Sequence, residues 1–239
     1  MERSSGKIDA IVDRQVRLWL EARKLNAGSR DDTSVMPCIT LSRQYGSRGA
    51  ELGQLLAQKS GFAFWDQAIV NALSKRAGVD EQMVATLDEN TRTSMDVFID
   101  TILRGRSYSE GEYLRQLMRF VHTLGKHGES VIVGRGAQYI LDESSALHVR
   151  VISPFSKRVR QLAKRKDISE RAAAAEIERV GKERIAFIER QYGRDISETS
   201  AYDLVVNLGT LSLEQALEII AVAYEQRFGL RPAAATSQV

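Results

Sequence analysis

The 239-residue sequence has little cysteine, little histidine and no long apolar run, which argues against disulfide-rich, metal-binding and membrane-spanning proteins. Its single cysteine, Cys38, excludes an internal disulfide framework and fits a reducing cytosol, so we expect a cytoplasmic protein. Its three histidines lack partners at metal-ligand spacing, which argues against a protein-caged transition metal. No apolar run approaches the ~18 residues of a membrane span, and no apolar segment follows a basic N-terminus as in a signal peptide. We therefore expect no membrane partner.

The sequence also has little excess of one charge over the other, because 34 basic and 31 acidic residues leave a net charge of only +3. That is too little for a nucleic-acid footprint, and we expect no nucleic-acid partner. One stretch, from Arg150 to Arg194, is nevertheless densely basic. It is open to three interpretations: a solvated helical face, a surface for a polyanionic small molecule such as a nucleoside triphosphate, or a nucleic-acid site. The absence of interleaved aromatic residues argues against the last.

The apolar segments predict strands that alternate with helices. Five segments are short, apolar and β-branched without clean alternation, as is typical of parallel strands covered on both faces: residues 38–42, 63–65, 131–134, 147–152 and 204–207. Long helical patterns separate them, so we expect right-handed crossovers and a three-layer α/β fold with a five-stranded parallel sheet. In such folds ligands bind beyond the carboxyl ends of the strands.

The chain is predicted to have three parts. Residues 1–34 read as an amphipathic helix and a polar linker, with the helix packed on the main domain or on a partner subunit of a homodimer. Residues 35–230 form the α/β domain, and residues 231–239 a disordered tail. Within the domain, residues 71–128 form a helical insert between the second and third strands. Residues 101–113 of that insert are predicted to be an exposed basic and aromatic loop.

The first strand leads into a glycine-bearing turn and a helix, which is how a phosphate-binding loop is built: residues 39–53 read I-T-L-S-R-Q-Y-G-S-R-G-A-E-L-G. Such a loop presents backbone N–H groups and a helix N-terminus to an anion. Gly46 and Gly49 allow the main chain to close around phosphate oxygens. The Walker pattern is incomplete, however, because residues 48–51 carry neither its lysine nor its magnesium-binding hydroxyl. Taken alone, the loop is also compatible with a plain structural turn.

Three further segments follow in the same collinear order. They are F-W-D-Q-A-I-V from Phe64, V-I-V-G-R-G-A from Val131 and Y-D-L-V-V-N-L-G-T-L-S-L-E-Q-A from Tyr202. With residues 39–53, they resemble the segments I-T-I-S-R-Q-Y-G-S-G-G-R-E-I-G, F-Y-D-R-E-L-I, V-I-V-G-R and Y-D-L of the cytidylate kinase-like family of P-loop proteins. The resemblance runs from about residue 37 to residue 228. It implies a nucleoside-monophosphate-kinase-like fold and does not cover the N-terminal helix.

The resemblance implies a phosphotransferase that binds ATP or another nucleoside triphosphate with Mg²⁺. Its γ-phosphoryl group would pass to a nucleoside monophosphate or a related small acceptor. Set beside true cytidylate kinases, Gly49 stands in the place of the lysine and Glu51 in the place of the threonine. The residues implied to bind the donor phosphates are Arg43, Gly46, Ser47, Arg48, Gly49, Ala50 and Glu51. Glu51 is also the candidate Mg²⁺ ligand, or else turns away from the phosphates.

The chain departs from the family at two loop positions, where Arg48 replaces a glycine and Ala50 replaces an arginine. Arg48 either restores a guanidinium beside the phosphates or plugs the space usually left for the nucleotide; we favour the first interpretation, because arginine offers a permanent charge and a forked donor set. Asp66 is implied at the acceptor site and equally fits the N-cap of the next helix. Arg135 corresponds to the acceptor-phosphate arginine of cytidylate kinases.

Nucleoside-monophosphate kinases close a basic lid over the transferring group, and residues 165–195 are the lid candidate. Arg190, Arg194 and Asp195 resemble the R-x-x-x-R-D arrangement of cytidylate kinases. The resemblance therefore implies catalytic roles for both arginines, with Arg48 and Arg135, and a substrate-binding role for Asp195. The rival hypothesis is a catalytically weak nucleotide- or phosphate-sensing module, dimeric through the N-terminal helix and the insert. The missing lysine favours this rival, whereas the retained glycines, Asp66 and Arg135 favour the enzyme.

Overall fold

A computed structural model describes residues 10–21, 36–73, 79–104 and 108–230. Its single sheet is parallel throughout, in the order β2-β3-β1-β4-β5. The strands are β1 (Cys38–Arg43), β2 (Ala63–Trp65), β3 (Ser130–Val133), β4 (Ala146–Ile152) and β5 (Leu204–Asn207). The predicted α/β fold with five parallel strands is confirmed. The predicted linker and C-terminal tail lie outside the described residues.

Helices lie on both faces of this sheet. They are α1 (residues 10–21), α2 (Gly49–Ser60), α3 (Gln67–Leu73), α4 (Val79–Val84), α5 (Glu89–Leu103), α6 (Tyr108–His127), α7 (Phe155–Lys166), α8 (Glu170–Tyr192) and α9 (Leu213–Phe228). Short 3₁₀ turns cover Ala137–Tyr139 and Thr199–Ala201. None of the helices within the described ranges is long and apolar enough to cross a membrane.

Successive residues of the buried strands face opposite layers, as the 2-residue period of a strand requires. In β3, Val131 and Val133 pack in one apolar cluster with residues of α2 and α9, whereas Ile132 packs in the other with residues of α3 to α6. Helix α1 belongs to this second layer, because Val12 and Trp19 are buried in the same cluster. Continuous apolar runs in the sequence therefore reflect strands that are covered twice.

Chain connections leave a crevice at one end of the sheet. From β1 the chain leads to β2 on one side of the sheet, whereas from the neighbouring strand β4 it leads to β5 on the other side. The loops that follow β1 and β4 therefore diverge, which opens the usual ligand-binding position of a doubly wound sheet. Helices α7 and α8 connect β4 to β5 and form a small apolar cluster of their own against Tyr45 of the loop after β1.

One local prediction is wrong. Residues 101–103 and 108–113 are helical and not part of a loop, because α5 extends to Leu103 and α6 begins at Tyr108; residues 105–107 lie outside the described residues. Ile102 and Leu103 pack in the insert core, and so does Tyr113 at the other end of the segment. Basic residues in this segment obscured the apolar spacing by which Leu103 belongs to α5 and Tyr113 to α6.

Helix α9 begins in a capping box, since Ser212 Oγ accepts from the Gln215 amide at 3.1 Å and Gln215 Oε1 accepts from the Ser212 amide at 2.9 Å. We expect Ser212→Ala to lower the free energy of unfolding by about 1 kcal/mol, because an N-terminal donor of the helix loses its acceptor. Urea-induced unfolding measures this loss. Ser200→Ala is the control, since its hydroxyl bonds only the exposed Glu198 carboxylate; an equal loss in both variants would contradict the capping role.

Candidate functional site

The loop between β1 and α2 turns at Gly46, whose φ is 83°. Ser47 is buried and holds this turn closed: its Oγ donates to the Gln44 carbonyl at 2.8 Å and accepts from the Gly49 amide at 3.3 Å. Gly49 begins α2 beside Arg43, where an added Cβ would lie 2.6 Å from the Cβ of that arginine. The strand–turn–helix form predicted for a phosphate-binding loop is present, and the Ser47 hydroxyl is engaged within the loop itself.

Arg48 lies at the surface of the loop. Its guanidinium makes a bidentate pair with Glu51, with Nε–Oε2 at 2.8 Å and Nη2–Oε1 at 2.6 Å, and the two side chains are 41% and 53% exposed. These hydrogen bonds raise the pKa of Arg48 and lower the pKa of Glu51. Ala50, between them, is exposed. The Arg48 guanidinium therefore does not plug the loop, and Glu51 must release it before it can ligate a metal.

A different set of arginines converges at the carboxyl ends of the strands. Arg43 ends β1, Arg135 follows β3, Arg150 lies on β4 and Arg184 reaches in from α8. We call these four residues the arginine cluster. None of them forms an ion pair with a carboxylate in the part of the chain that the structure describes. Uncompensated buried cations are rare, because removing a charge from water is costly unless a partner replaces the water.

The cluster is electrostatically strained. Burial, followed by the positive charges of Arg184 and Arg135, lowers the pKa of Arg43 to about 9. Burial lowers the pKa of Arg184 to about 10; Tyr45 opposes that shift, and Arg150 reinforces it. Both guanidinium groups are still protonated at neutral pH. An anion between them would relieve the repulsion and raise both pKa values.

Neutral groups hold the cluster in place. Arg43 Nη2 donates to Gln67 Oε1 at 2.8 Å, and Arg150 Nη1 donates to Ser42 Oγ at 2.6 Å. Arg184 Nη1 donates to the Arg43 carbonyl at 2.9 Å. Buried Nε atoms with no hydrogen-bond partner among the described residues belong to three members of the cluster: Arg43, Arg135 and Arg184. The site thus holds unsatisfied donors, which a phosphate oxygen could satisfy.

Arg135 is presented by an unusual turn. Three successive residues have left-handed φ, namely Gly134 at 87°, Arg135 at 58° and Gly136 at 72°. The carbonyl of Arg135 accepts from Tyr192 Oη at 2.7 Å, and its guanidinium lies 4.6 Å from the centre of the Phe187 ring. A non-glycine residue in this conformation is strained and persists only where its surroundings hold it there; such residues concentrate at functional sites.

Two cavities meet at the arginine cluster and share Arg43, Tyr45, Arg184 and Ile196. The β3-side cavity has a volume of about 410 Å³, and its other lining residues include Gln67, Gly134, Arg135, Gly136, Glu183 and Phe187. The β4-side cavity has a volume of about 360 Å³, and its other lining residues include Gln44, Arg150, Phe155, Arg158, Glu178 and Lys182. Both lie at the carboxyl end of the sheet, where the fold predicts a ligand.

The predicted lid, residues 165–195, lies over the loop after β1. Tyr45 Oη donates to Glu176 Oε1 of α8 at 2.6 Å, and Arg158 Nη1 of α7 donates to the Tyr45 carbonyl at 3.1 Å. The Tyr45 ring also packs against the apolar contact between α7 and α8. Helix α8 therefore lies over the strand ends, and its residues line both cavities at the cluster.

Of the remaining lid residues implied by the resemblance, the two arginines lie away from the cluster. Arg190 and Arg194 line a separate cavity of about 650 Å³ with Tyr139, at the carboxyl end of α8. Asp195 makes a local turn, in which its Oδ1 accepts from the amide of Ser197 at 2.8 Å. The structure does not bring Arg190 and Arg194 to the arginine cluster. Asp195 lies at its edge, since the hydrogen bonds from Ser197 and then the charge of Arg150 lower the pKa of Asp195.

Asp66 caps α3, since its Oδ1 accepts from the amides of Ala68 and Ile69 at 2.8 and 2.9 Å. This confirms the helix-capping interpretation. The carboxylate also acts on the site, because its charge is the one attraction that opposes the lowering of the Arg43 pKa.

Sequence reasoning missed half of the arginine cluster and its neutral support. Arg150 and Arg184 were visible only as members of a long basic stretch, and Gln67 was visible only as the neighbour of Asp66. Tyr45 and Phe187, which stack beside the guanidinium groups of Arg184 and Arg135, carried no signal of their own.

Comparison with known proteins identifies the family of this chain. The sequence model of the cytidylate kinase-like family matches residues 38–210. The chain belongs to this family. Together with the sheet order and the loop after β1, membership identifies the domain as a P-loop, nucleoside-monophosphate-kinase-like fold.

The individual curated relatives match a smaller part of the chain than the family model does. A cytidylate kinase from Aeropyrum pernix is 31% identical over 105 residues, which are 44% of this chain and 60% of that protein. A uronate isomerase from Corynebacterium glutamicum is 28% identical over 101 residues, which are 42% of this chain and 20% of that protein. The chain thus spans less than two thirds of the length of either curated relative. An uncharacterized protein from Eubacterium ventriosum has the same fold, with a TM-score of 0.65 and 16% identity over 80% of this chain and 99% of that one.

Proposed function

We propose that this protein is a nucleotide-binding phosphotransferase. In this proposal it moves the γ-phosphoryl group of ATP, or of another nucleoside triphosphate, to a nucleoside monophosphate or a related small acceptor. The arginine cluster carries the proposal: four guanidinium groups without carboxylate partners meet at the ligand-binding end of a kinase-like fold. A phosphate chain supplies the several negative charges that such a cluster lacks, and arginine matches phosphate in both charge and geometry.

In this proposal Arg43 supplies the positive charge to the donor phosphates that the missing lysine supplies in a Walker loop. Its guanidinium lies at the end of β1, beneath the loop, whereas Arg48 is engaged with Glu51 at the surface. The amides of the loop and of the start of α2 bind the donor phosphates, as helix N-termini do for anions. Arg135 and Asp66 position the acceptor, and Arg184 offsets the charge that develops on the transferring group. Arg48, Arg190 and Arg194 can join only after a rearrangement of the loop or of the end of α8.

Mg²⁺ in this proposal is held mainly by phosphate oxygens and water. The described ranges contain no group of three or more His, Cys, Asp or Glu side chains able to hold a metal ion. Glu51 is the candidate protein ligand, on condition that it exchanges its bond to Arg48. When bound, the ion neutralises phosphate charge.

Helix α8 contributes by excluding water. Because residues of α8 line both cavities, we expect this helix to close over a bound nucleotide, keep water from the transferring group, and open again for nucleotide exchange. The polar contacts that hold it over the loop after β1 are Tyr45 with Glu176, Lys166 with Glu176, and Arg184 with the Arg43 carbonyl. They suit a helix that opens and closes.

The test is turnover of ATP with Mg²⁺ over a panel of nucleoside monophosphates, measured as ADP release, with ATP binding measured by calorimetry. We expect binding and turnover with at least one acceptor. Binding without turnover on every acceptor would replace the kinase by a sensing module, and failure to bind either ATP or GTP would overturn both. Sedimentation velocity on the same sample tests the predicted homodimer, and cell fractionation tests the predicted cytoplasmic location.

A further inference from the structure

Gln67 opens α3 directly after Asp66 and lines the β3-side cavity. Its side-chain oxygen accepts the 2.8 Å hydrogen bond from Arg43 Nη2. We propose that Gln67 is a positioning residue: it fixes the Arg43 guanidinium in the cavity and leaves the positive charge of that group available to a phosphate ligand. This inference rests on the proposed function, because it concerns the same anion site.

The position of the guanidinium is constrained from two sides. On one side is the Gln67 amide, and on the other is Gly134, where any Cβ would overlap Nη1 of Arg43. Arginine has only donors, so it is the oxygen of the amide that must face it. The Arg43 side chain is therefore fixed in the cavity before any ligand arrives, and little side-chain entropy is lost on binding.

The chemical identity of residue 67 decides how much charge the cavity keeps. A carboxylate is the common partner of a buried guanidinium, and it would neutralise Arg43 by forming an ion pair. The neighbouring carboxylate, Asp66, turns its Oδ1 to the amides of α3 instead. Glu183, which also lines the cavity, is paired with Arg179 at 2.6 Å. A neutral acceptor at position 67 thus leaves Arg43 without a carboxylate in direct contact, and only the more distant charge of Asp66 offsets its own.

This arrangement points to a ligand that carries at least two negative charges at the cavity. Three arginines line it, namely Arg43, Arg135 and Arg184, and one carboxylate does so. The effect of charge at position 67 must therefore grow with the charge of the ligand, because each added charge interacts with the same site. A purely structural role of Gln67 would not show that dependence.

The test compares Gln67→Glu with Gln67→Met. Gln67→Glu keeps an acceptor for Arg43 but adds a negative charge, so we expect the ligand-free protein to melt at a higher temperature and to bind ATP about tenfold more weakly. The loss should be smaller for AMP, which carries fewer charges. Gln67→Met removes the acceptor, so we expect weaker ATP binding without the gain in melting temperature. Gln54→Glu, on the exposed face of α2, makes the same charge change away from the site.

The stability and the nucleotide affinity of the Gln67 variants together decide between a positioning role and a purely structural one. Opposite shifts of stability and affinity in Gln67→Glu, with a larger loss for ATP than for AMP, support the inference. Unchanged affinity, or a fall of both stability and affinity with no dependence on ligand charge, overturns it. If the wild-type protein binds ATP but transfers no phosphoryl group, the proposed enzyme fails while the positioning role can stand. If it binds neither ATP nor AMP, both proposals fall.

Discussion

Replacing Arg43 by methionine is expected to stabilise the ligand-free protein by about 1 to 3 kcal/mol, because it removes a buried cation that has no carboxylate partner. The same change should weaken ATP binding by at least about 100-fold, since truncating one partner of a buried charge pair costs several kcal/mol. Function and stability are opposed at this residue. Its charge is costly in the empty site and becomes favourable only against an anion.

The pH dependence of that stabilisation has a definite sign. Folding lowers the pKa of Arg43 from 12.5 to about 9, so the folded state disfavours the charged form. The destabilisation is present in full below pH 9, and it is relieved as the pH rises from there toward 12.5. The stability advantage of Arg43→Met should therefore be constant around neutral pH and shrink above pH 9.

Chemical unfolding and calorimetric titration with ATP measure the two effects of Arg43→Met. Arg160→Met is the matched control, because Arg160 is exposed on α7 and lines neither cavity that meets at the cluster. We expect that control to change stability by less than about 0.5 kcal/mol and to bind ATP as the wild-type protein does. Loss of stability in Arg43→Met together with retained ATP binding would show that Arg43 serves the fold and not the ligand.

The fold was predictable because its strands are buried on both faces. Parallel strands under two helical layers read as unbroken apolar runs, and the third strand, predicted at residues 131–134, lies at Ser130–Val133. Helical ends in the insert were less predictable. Residues 101–113 combine basic side chains with apolar ones at helical spacing, and only packing against the insert core shows that Leu103 and Tyr113 belong to helices.

The candidate site was predictable where it follows a strand directly. Arg43 and Arg135 could be found in this way, because the carboxyl end of a parallel strand points at the ligand crevice. Arg184 could not, since it is one of many basic residues on a long helix, and only the docking of α8 on the loop selects it. The sequence favoured Arg48 as a phosphate-binding residue because it lies inside the loop motif. A local helix-surface pair with Glu51, three residues on, takes its guanidinium away from the cavity.

Gly136→Ala is expected to lower the free energy of unfolding by about 3 kcal/mol, as the sum of a backbone and a packing effect. Its φ is 72°, which an alanine adopts only at a cost. An added Cβ would also overlap the ring of Tyr192, with Cζ at 2.7 Å. That ring cannot move freely, because its hydroxyl holds the carbonyl of Arg135 at 2.7 Å.

Gly61 offers a control in which the same backbone conformation occurs without the clash. Its φ is 74°, and an added Cβ there meets no atom within 4 Å. Gly61→Ala should therefore lose only the conformational part, about 1 kcal/mol, and leave nucleotide binding unchanged. Gly136→Ala should also weaken ATP binding, because displacement of Tyr192 releases the turn that presents Arg135. Urea unfolding and calorimetry compare the two variants, and equal losses of stability would mean that Tyr192 yields to the added methyl group and does not fix the turn.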